Sequence, residues 1–382
     1  MIASRVSVVI PCFNGARYLG EAIDSALAQT HPDVEVIVVD DGSTDGTPAV
    51  VSGYGDRLRC VRQPNRGLAG ARNAGIRHAR GPYVAFLDHD DRFLPDKLAR
   101  QAAVLDARPD AGLVYCGWHF IDADGARLPP TGWDVREGDV TVDLLRGNIM
   151  HPATVVVRRT ALDAAGGFDE GRTGLEDWDL WLRMAVRGVR WACVDAPLLE
   201  YRVHPGQMHR HGADRRLRNA LVIFDRVFAD PALPAHLRSL EGVARQNVYF
   251  AAAAHHYRSG EAAAGRAAFR AGMEARPATL ADHRALLRFA RLLFPTGAQG
   301  QTALATHWRS VAGTLRDAVG GVFDPPRPAP VVARLRWPAR IAVLRATMRL
   351  ARKRAQLQAG WRPRRRREQV EALNVDGTAS SS

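Results

Sequence analysis

Several features that mark whole classes of protein are rare or missing in this chain of 382 residues. No apolar run approaches the roughly 18 to 20 residues that span a bilayer, and no signal-peptide core precedes the first strand-like segment at Val6. The 4 cysteines lie far apart with no CxxC pair, which favours reduced, mostly buried thiols over a disulfide framework or a zinc site. We therefore expect a cytoplasmic protein without membrane-spanning segments.

Lysine is almost absent, since Lys97 and Lys353 are the only two, and arginine supplies nearly all of the basic residues behind the net charge of +13. Between residues 334 and 367 there are 13 basic residues and no acidic ones, so the rest of the chain is close to neutral. A nearly neutral main body argues against nucleic-acid binding. We expect the segment 334–367 to contact the anionic inner face of the plasma membrane peripherally, and the alternative is a solvated basic tail.

Phosphate-binding loops are missing as well, because neither GxGxxG after the first strand nor GxxxxGK[ST] occurs, which excludes the dinucleotide-binding and P-loop classes. Apolar runs typical of buried strands are present at Val6–Ile10, Val34–Val39, Leu58–Val61 and Tyr83–Leu87. Segments with helical spacing lie between them at Ala16–Gln29 and Gly67–Ala79. This alternation predicts an α/β fold with a mixed, mostly parallel sheet flanked by helices.

Polar loops follow three of these predicted strands, at Pro11–Asn14, Asp40–Ser43 and Asp88–Asp91. Ligands of open parallel sheets bind outside the carboxyl ends of the strands. We expect the three loops to converge on one cleft.

The remainder of the chain changes character twice. Further strands are predicted at Leu113–Trp118, Thr154–Arg158 and Arg190–Val194, and helices at Pro95–Ala107 and Glu176–Arg187. From Gly212 the pattern is helical and includes one helix-turn-helix repeat of tetratricopeptide type at Arg245–Pro277. We predict a catalytic domain over 1–211, a helical region over 212–322, and a final part over 323–382 with a Pro-rich linker, a basic helix and a disordered tail.

Four motifs, in order over residues 1 to about 210, resemble those of family 2 glycosyltransferases. They are VSVVIPCFN at Val6–Asn14, VVDDGSTD at Val38–Asp45, FLDHDD at Phe86–Asp91 and EDWDLW at Glu176–Trp181. The resemblance implies a nucleotide-diphospho-sugar transferase fold of GT-A type, a divalent cation (Mn²⁺ or Mg²⁺) and inversion at the anomeric carbon.

The acidic motif at Phe86–Asp91 predicts the metal site, because unpaired carboxylates at a strand end repel one another and a divalent cation removes that penalty. By the resemblance, Asp90 is the direct metal ligand and Asp88 reaches the ribose or the metal shell. His204, which follows the predicted strand end at Glu200-Tyr201, is expected to face the same cleft as a further metal ligand, and the alternative is a structural histidine. The structural alternative is an acidic N-cap for the next helix, supplied by Asp91.

Donor-binding residues are implied in the earlier loops. By the resemblance, Asp41 bonds the base or ribose, although Asp-Gly-Ser is also ordinary turn chemistry. Phe13 is placed to stack on the base and Pro11 shapes the same wall, with a core position as the alternative for Phe13. Arg72, in the helix after Asn65-Arg66-Gly67, contacts the base or a phosphate, and the alternative is a helix-surface ion pair.

The resemblance makes Asp177 the general base. Its neighbours Glu176 and Asp179 have an alternative role as helix N-caps. Core packing is expected for Trp181, whereas Trp178 either packs in the core or walls the acceptor site. His151 also belongs to the expected cleft, as a structural histidine or a ligand.

These residues predict an inverting, metal-dependent glycosyltransferase of cell-envelope polysaccharide biosynthesis. It would move a sugar from a nucleotide-diphospho-sugar to a hydroxyl of a glycan or lipid-linked acceptor. The alternative is a non-catalytic nucleotide-sugar-binding or scaffold protein of a polysaccharide assembly system. A sugar-phosphate nucleotidyltransferase is disfavoured, because Pro11–Arg17 is not the glycine-rich basic loop that such enzymes need.

Overall fold

The computed structural model of the chain describes residues 4–129, 135–172, 174–206 and 212–276. Its strands are β1 Val6–Cys12, β2 Val34–Asp40, β3 Arg59–Arg62, β4 Tyr83–Phe86, β5 Arg92–Phe93, β6 Ala111–Ile121, β7 Arg127–Leu128, β8 Val156–Arg158 and β9 Arg190–Arg202. Its helices are α1 Leu19–Leu27, α2 Thr47–Ser52, α3 Gly67–His78, α4 Lys97–Ala107, α5 Thr141–Arg146, α6 Arg159–Ala165, α7 Glu176–Val186, α8 Ala213–Ala229, α9 Ala235–Arg238, α10 Glu241–Arg258 and α11 Ala262–Ala275. Two 3₁₀ turns cover Gly55–Arg57 and Pro152–Thr154.

The strands of the described residues form one mixed sheet in the order β3-β2-β1-β4-β8-β6-β9-β5, with β7 attached to β6. β1, β2, β3 and β4 are mutually parallel, and β6 is parallel to β9. The short strand β8 runs antiparallel to both β4 and β6, so β6 and β9 point the same way as β1. The carboxyl ends of all the long strands therefore lie at one edge, and the predicted α/β class is confirmed.

Helices cover both faces of the sheet, which explains why the strands are apolar throughout. On one face, Val9 and Phe86 join the core that contains α3 and α7. On the other, Val8 and Ala85 join the core that contains α1 and α4. Successive strand residues point to opposite faces, so a continuous apolar run is what a doubly covered strand requires.

Pro11 does not end the first strand as expected, because β1 continues to Cys12. The carbonyl of Val9 accepts from the Leu87 N–H at 3.0 Å, so the backbone groups of Val9 face β4. Pro11 lies two residues further along β1, and its backbone therefore faces the same side. β4 ends at Phe86, which pairs with Val9. The missing N–H of Pro11 therefore leaves no ladder partner unsatisfied.

Another strand boundary differs from the expectation. The strand predicted at Arg190–Val194 runs on to Arg202, because it pairs with β6 along its whole length with register shifts near Cys116 and Gly117. Pairing across the sheet extends a strand beyond its apolar core, and local composition does not reveal that.

The helices after Gly212 pack against the sheet domain and on each other. α8 is amphipathic, and its Phe224 ring meets Trp178 of α7 edge-on at 5.4 Å. α10 and α11 form the predicted helix-turn-helix, with the Phe250 and Phe269 rings stacked at 5.1 Å. Among the described residues, no helix combines the length and the apolar character needed to cross a bilayer.

His256 joins three of these helices. It is 4% exposed, and its ring nitrogens meet Asp214 Oδ1 at 3.0 Å and Glu261 Oε2 at 2.5 Å. Burial opposes the charged imidazole, but the two carboxylates outweigh it and raise the pKa of His256 above its ordinary value.

Candidate active site

The loops after β1 and β2 are tied together at the carboxyl edge of the sheet. Asn14 is left-handed, with φ 52°, and its Oδ1 accepts from the Thr44 N–H at 2.8 Å while its own N–H donates to Ser43 Oγ at 3.0 Å. Asparagine adopts this conformation more readily than most residues. The turn leaves Phe13 47% exposed, so the alternative of a core phenylalanine is wrong, and stacking on a base stays a prediction.

Two buried carboxylates, Asp40 at the end of β2 and Asp41 directly after it, have different hydrogen-bond partners. Asp40 Oδ1 accepts from the Ser43 N–H at 2.9 Å, which is the turn bond that Asp-Gly-Ser favours. Asp41 Oδ1 accepts from Gln63 Nε2 at 2.7 Å and from the Arg66 N–H at 2.9 Å. No described residue donates to Asp41 Oδ2. The predicted residue Asp41 thus has an oxygen available for a ligand.

Arg72 on α3 links the loop after β4 to the start of α7. Its Nη2 donates to Asp88 Oδ1 at 2.7 Å, and its Nη1 donates to Glu176 Oε1 at 2.9 Å. Burial opposes the charged form of Asp88, but the Arg72 guanidinium outweighs it and lowers the pKa of that carboxyl. The alternative given for Arg72 was an ion pair on the helix surface. Arg72 does form ion pairs, but it is 1% exposed, so these pairs are buried and not on the surface.

Asp90 and His204 meet at the same edge. His204 Nε2 lies 3.0 Å from Asp90 Oδ2, and each side chain is 17% exposed. The His204 ring packs against Tyr18, with centroids 5.2 Å apart. Arg202 fixes the loop that contains Asp90, because its Nε donates to the Asp90 carbonyl at 2.8 Å. Two residues 114 positions apart in the chain are thereby brought into direct contact.

Asp91 has a structural position, and the alternative that it caps the next helix is wrong. Its Oδ1 accepts from the Arg202 N–H at 2.9 Å, and the N-cap of α4 is Asp96, whose side chain makes no capping hydrogen bond. Its Oδ2 is buried without a hydrogen-bond partner among the described residues. Burial, together with the charges of Asp90 and Asp88, raises the pKa of Asp91 well above its ordinary value.

Asp177 lies at the start of α7 and is partly exposed. Its Oδ2 accepts from Asn148 Nδ2 at 2.8 Å, and its Oδ1 accepts from the Trp178 N–H at 2.7 Å. Hydrogen bonds to both oxygens fix the plane of the carboxylate. The arrangement is that of an oriented carboxylate able to accept a proton.

The two acids beside Asp177 turn inward instead. Glu176 bonds Arg72 and accepts from the Gly174 N–H at 2.7 Å, and Asp179, 0% exposed, bonds Arg183 Nε at 2.8 Å and Arg226. The N-cap of α7 is Leu175 without a side-chain bond, so the capping alternative is wrong for both acids.

Sequence comparisons identify the family of the chain. Residues 7–163 match the family model "Glycosyl transferase family 2". A putative teichuronic acid biosynthesis glycosyltransferase of Bacillus subtilis, TuaG, is 33% identical over 202 residues, which cover 52% of this chain and 79% of that protein. The chain belongs to glycosyltransferase family 2. An uncharacterised glycosyltransferase of Rickettsia prowazekii is 36% identical over 183 residues, covering 47% of this chain and 58% of the relative's length.

Solved structures place this family 2 glycosyltransferase in the GT-A fold. TarS residues 1–349 of S. aureus, crystallised with UDP-GlcNAc, superposes with a TM-score of 0.57 at 18% identity, covering 80% of this chain and 92% of that one. The mannosyltransferase PcManGT of Pyrobaculum calidifontis, in complex with GDP-Man and Mn²⁺, gives 0.51 at 22%, covering 86% and 89%. At these identities the likeness concerns the fold, and the GT-A expectation is confirmed.

Within the family 2 fold, all three predicted loops lie at one sheet edge. Pro11, Phe13 and Asp41 lie at the ends of β1 and β2, Asp88 and Asp90 follow β4, and His204 follows β9. Trp181 and Trp178 are both buried, and Trp178 Nε1 donates to the Leu144 carbonyl at 2.9 Å, so core packing is the correct alternative for both. The segments 277–322 and 323–382, with the basic tail, lie outside the described residues.

Sequence reasoning missed Asn148, which orients Asp177, and the buried role of Arg202. Asn148 lies in a stretch without a readable periodicity, 29 positions before its partner. Arg202 is not among the predicted site residues, but it is 1% exposed and donates to the Asp90 carbonyl, to Glu21 and, through its N–H, to Asp91.

Proposed function

We propose that this protein transfers a sugar from a nucleotide-diphospho-sugar to a hydroxyl of a glycan or lipid-linked acceptor, with inversion at the anomeric carbon. The observation that carries the proposal is the arrangement at one sheet edge: Asp41 and Asp88 for the nucleotide, the Asp90–His204 pair, and Asp177 oriented by Asn148. A binding module without catalysis has no need of an oriented, partly exposed carboxylate.

A divalent cation fits this donor set. Among the described residues no group of three His, Cys, Asp or Glu side chains could hold a metal ion alone. Mg²⁺ and Mn²⁺ commonly use one or two protein groups and take the remaining ligands from substrate phosphates and water. Asp90 and His204 would hold the ion, and no described residue donates to Asp90 Oδ1. When bound, the cation would stabilise the negative charge of the departing diphosphate.

The chain's own residues would do the rest of the chemistry. An acceptor hydroxyl is a weak nucleophile, and Asp177 would take its proton as the new bond from oxygen to the anomeric carbon forms. The bond from that carbon to the phosphate oxygen breaks in the same step, and its electron pair leaves on the nucleoside diphosphate. With one base and no carboxylate nucleophile, the displacement is in line and inverts the configuration.

A donor screen tests the proposal. The full chain is incubated with UDP-, GDP- and dTDP-sugars in Mn²⁺, and release of nucleoside diphosphate is measured with and without added glycans. We expect one donor class to be consumed, chelation by EDTA to stop the reaction, and the anomeric proton coupling of the product to show inversion. A nucleotide that raises the melting temperature while no donor is turned over would favour the scaffold alternative.

The membrane contact of 334–367 remains part of the proposal for a lipid-linked acceptor, because each basic residue near an anionic surface contributes about 1 kcal/mol. Flotation of the full chain with vesicles containing phosphatidylglycerol at low salt tests it. Protein that stays at the bottom of the gradient would end the idea.

A further inference from the structure

An aromatic cluster lies at the carboxyl ends of β6 and β9 and belongs to none of the family motifs. It consists of Trp118, Phe120, His151 and Tyr201. His151 stacks on Tyr201 with centroids 4.5 Å and planes 27° apart, Trp118 meets His151 edge-on at 5.0 Å, and Phe120 meets Tyr201 edge-on at 5.7 Å. All four side chains are partly exposed, so the cluster is an open surface rather than closed core.

The aromatic cluster is anchored to both halves of the candidate active site. Tyr201 directly precedes Arg202, which binds the loop of Asp90 and Asp91 through two hydrogen bonds of 2.8 and 2.9 Å. His151 comes three residues after Asn148, whose side chain orients Asp177. The Thr154 N–H and hydroxyl hold the His151 carbonyl at 3.0 and 2.7 Å, which fixes this connection.

Two polar groups accompany the rings. The Trp118 indole N–H is buried and has no hydrogen-bond partner among the described residues, and such groups are rare in folded proteins. The Tyr201 hydroxyl likewise bonds none of the residues that the structure describes. Burial, with the charges of Asp91, Asp88 and Asp90, raises the pKa of Tyr201, so the hydroxyl keeps its proton and can donate.

We propose that the aromatic cluster is the acceptor subsite and binds a pyranose ring of a glycan. A pyranose has an apolar C–H face and a rim of hydroxyls, which match aromatic rings combined with a few polar donors. A hydrocarbon chain of a lipid would leave the tyrosine hydroxyl unsatisfied. This inference rests on the proposed function, since it assigns the cluster to the acceptor of that reaction.

Saturation-transfer NMR on the full chain with UDP or GDP and Mg²⁺ tests the assignment. The probes are the methyl pyranosides of glucose, galactose, mannose and N-acetylglucosamine, with sorbitol as an acyclic control. We expect saturation of pyranoside ring protons in the wild type, and affinities reduced about two- to twelve-fold in Phe120→Leu and Tyr201→Leu. Tyr249→Leu, the same change at another partly exposed tyrosine, should behave as wild type.

Nucleotide stabilisation, read as a shift in melting temperature, accompanies each measurement. Tyr201→Phe, which keeps the ring, should retain most of the signal even if the leucine variants fold poorly. Equal pyranoside saturation in wild type and all cluster variants would overturn the subsite, as would equal saturation of sorbitol. Intact nucleotide stabilisation without pyranoside saturation would overturn the subsite alone, whereas loss of nucleotide binding by the wild type would refute the proposed function with it.

Discussion

Replacing Arg72 by methionine should reveal how strongly one buried guanidinium holds the two halves of the site together. Methionine fills much of the same volume but leaves Asp88 and Glu176 facing each other without a counter-charge. Arg72 and Glu176 have side chains only 2% and 6% exposed, whereas Asp88 is 25% exposed, so solvent relieves one carboxylate more than the other.

Breaking a buried ion pair by removing one partner typically destabilises a protein by about 3–5 kcal/mol. For a protein of 382 residues, that lowers the melting temperature by about 4–6 °C. A double variant, Arg72→Met with Glu176→Gln, removes the more deeply buried orphan charge and should recover at least about 1 kcal/mol.

Urea titrations of wild type, both variants and a matched control give these values as free energies of unfolding. The control is Arg66→Met, whose side chain is 52% exposed and bonds Glu170 at 2.8 Å, and it should change stability by less than about 1 kcal/mol. An Arg72→Met protein no less stable than the Arg66 control would refute the reasoning, and so would a double variant that recovers nothing.

Three further outcomes follow from the structure. Asp90→Ala should fold normally but lose the Mn²⁺-dependent part of its nucleotide affinity, and calorimetric titration giving wild-type affinity would reject Asp90 as the metal ligand. Because the pKa of His256 is raised in the folded protein, its contacts with Asp214 and Glu261 stabilise the helices fully below about pH 6.5, and this stabilisation is lost as the pH rises through the folded pKa. The difference in melting temperature between wild type and His256→Gln should therefore shrink from pH 5.5 to 8.5. A constant difference would count against a stabilising role for the charged His256. In Gly75→Ala, the new methyl group would overlap the Val9 side chain between α3 and β1. We expect the free energy of unfolding from a denaturant titration to fall by about 1–3 kcal/mol. An unchanged free energy of unfolding would show that α3 can shift to make room.

The parts of the fold that sequence could predict are those governed by local rules. The apolar runs at Val6–Ile10 and Val34–Val39 predicted doubly covered strands, and the parallel direction then placed Asp41 and Asp90 at one edge. Pro11 was misjudged because its tolerance depends on where β4 ends, which is a property of the neighbouring strand.

The parts that could not be predicted depend on pairings between distant segments. Asn148 reaches Asp177, and His151 stacks on Tyr201, across 29 and 50 positions of chain without any shared motif. The extension of β9 to Arg202 results from its register with β6. Such contacts require the assembled sheet, since a single side chain's type does not identify its distant partner.

Turnover by Asp177→Asn is the most direct test of the account. Asparagine is nearly isosteric, so it can still accept from Asn148 Nδ2 through its own carbonyl oxygen, but it cannot take a proton from the acceptor hydroxyl. We expect sugar transfer to fall about 100- to 10,000-fold, while nucleotide and Mn²⁺ stabilise the variant as they do the wild type. Near-normal transfer by Asp177→Asn would contradict the assignment of Asp177 as the base.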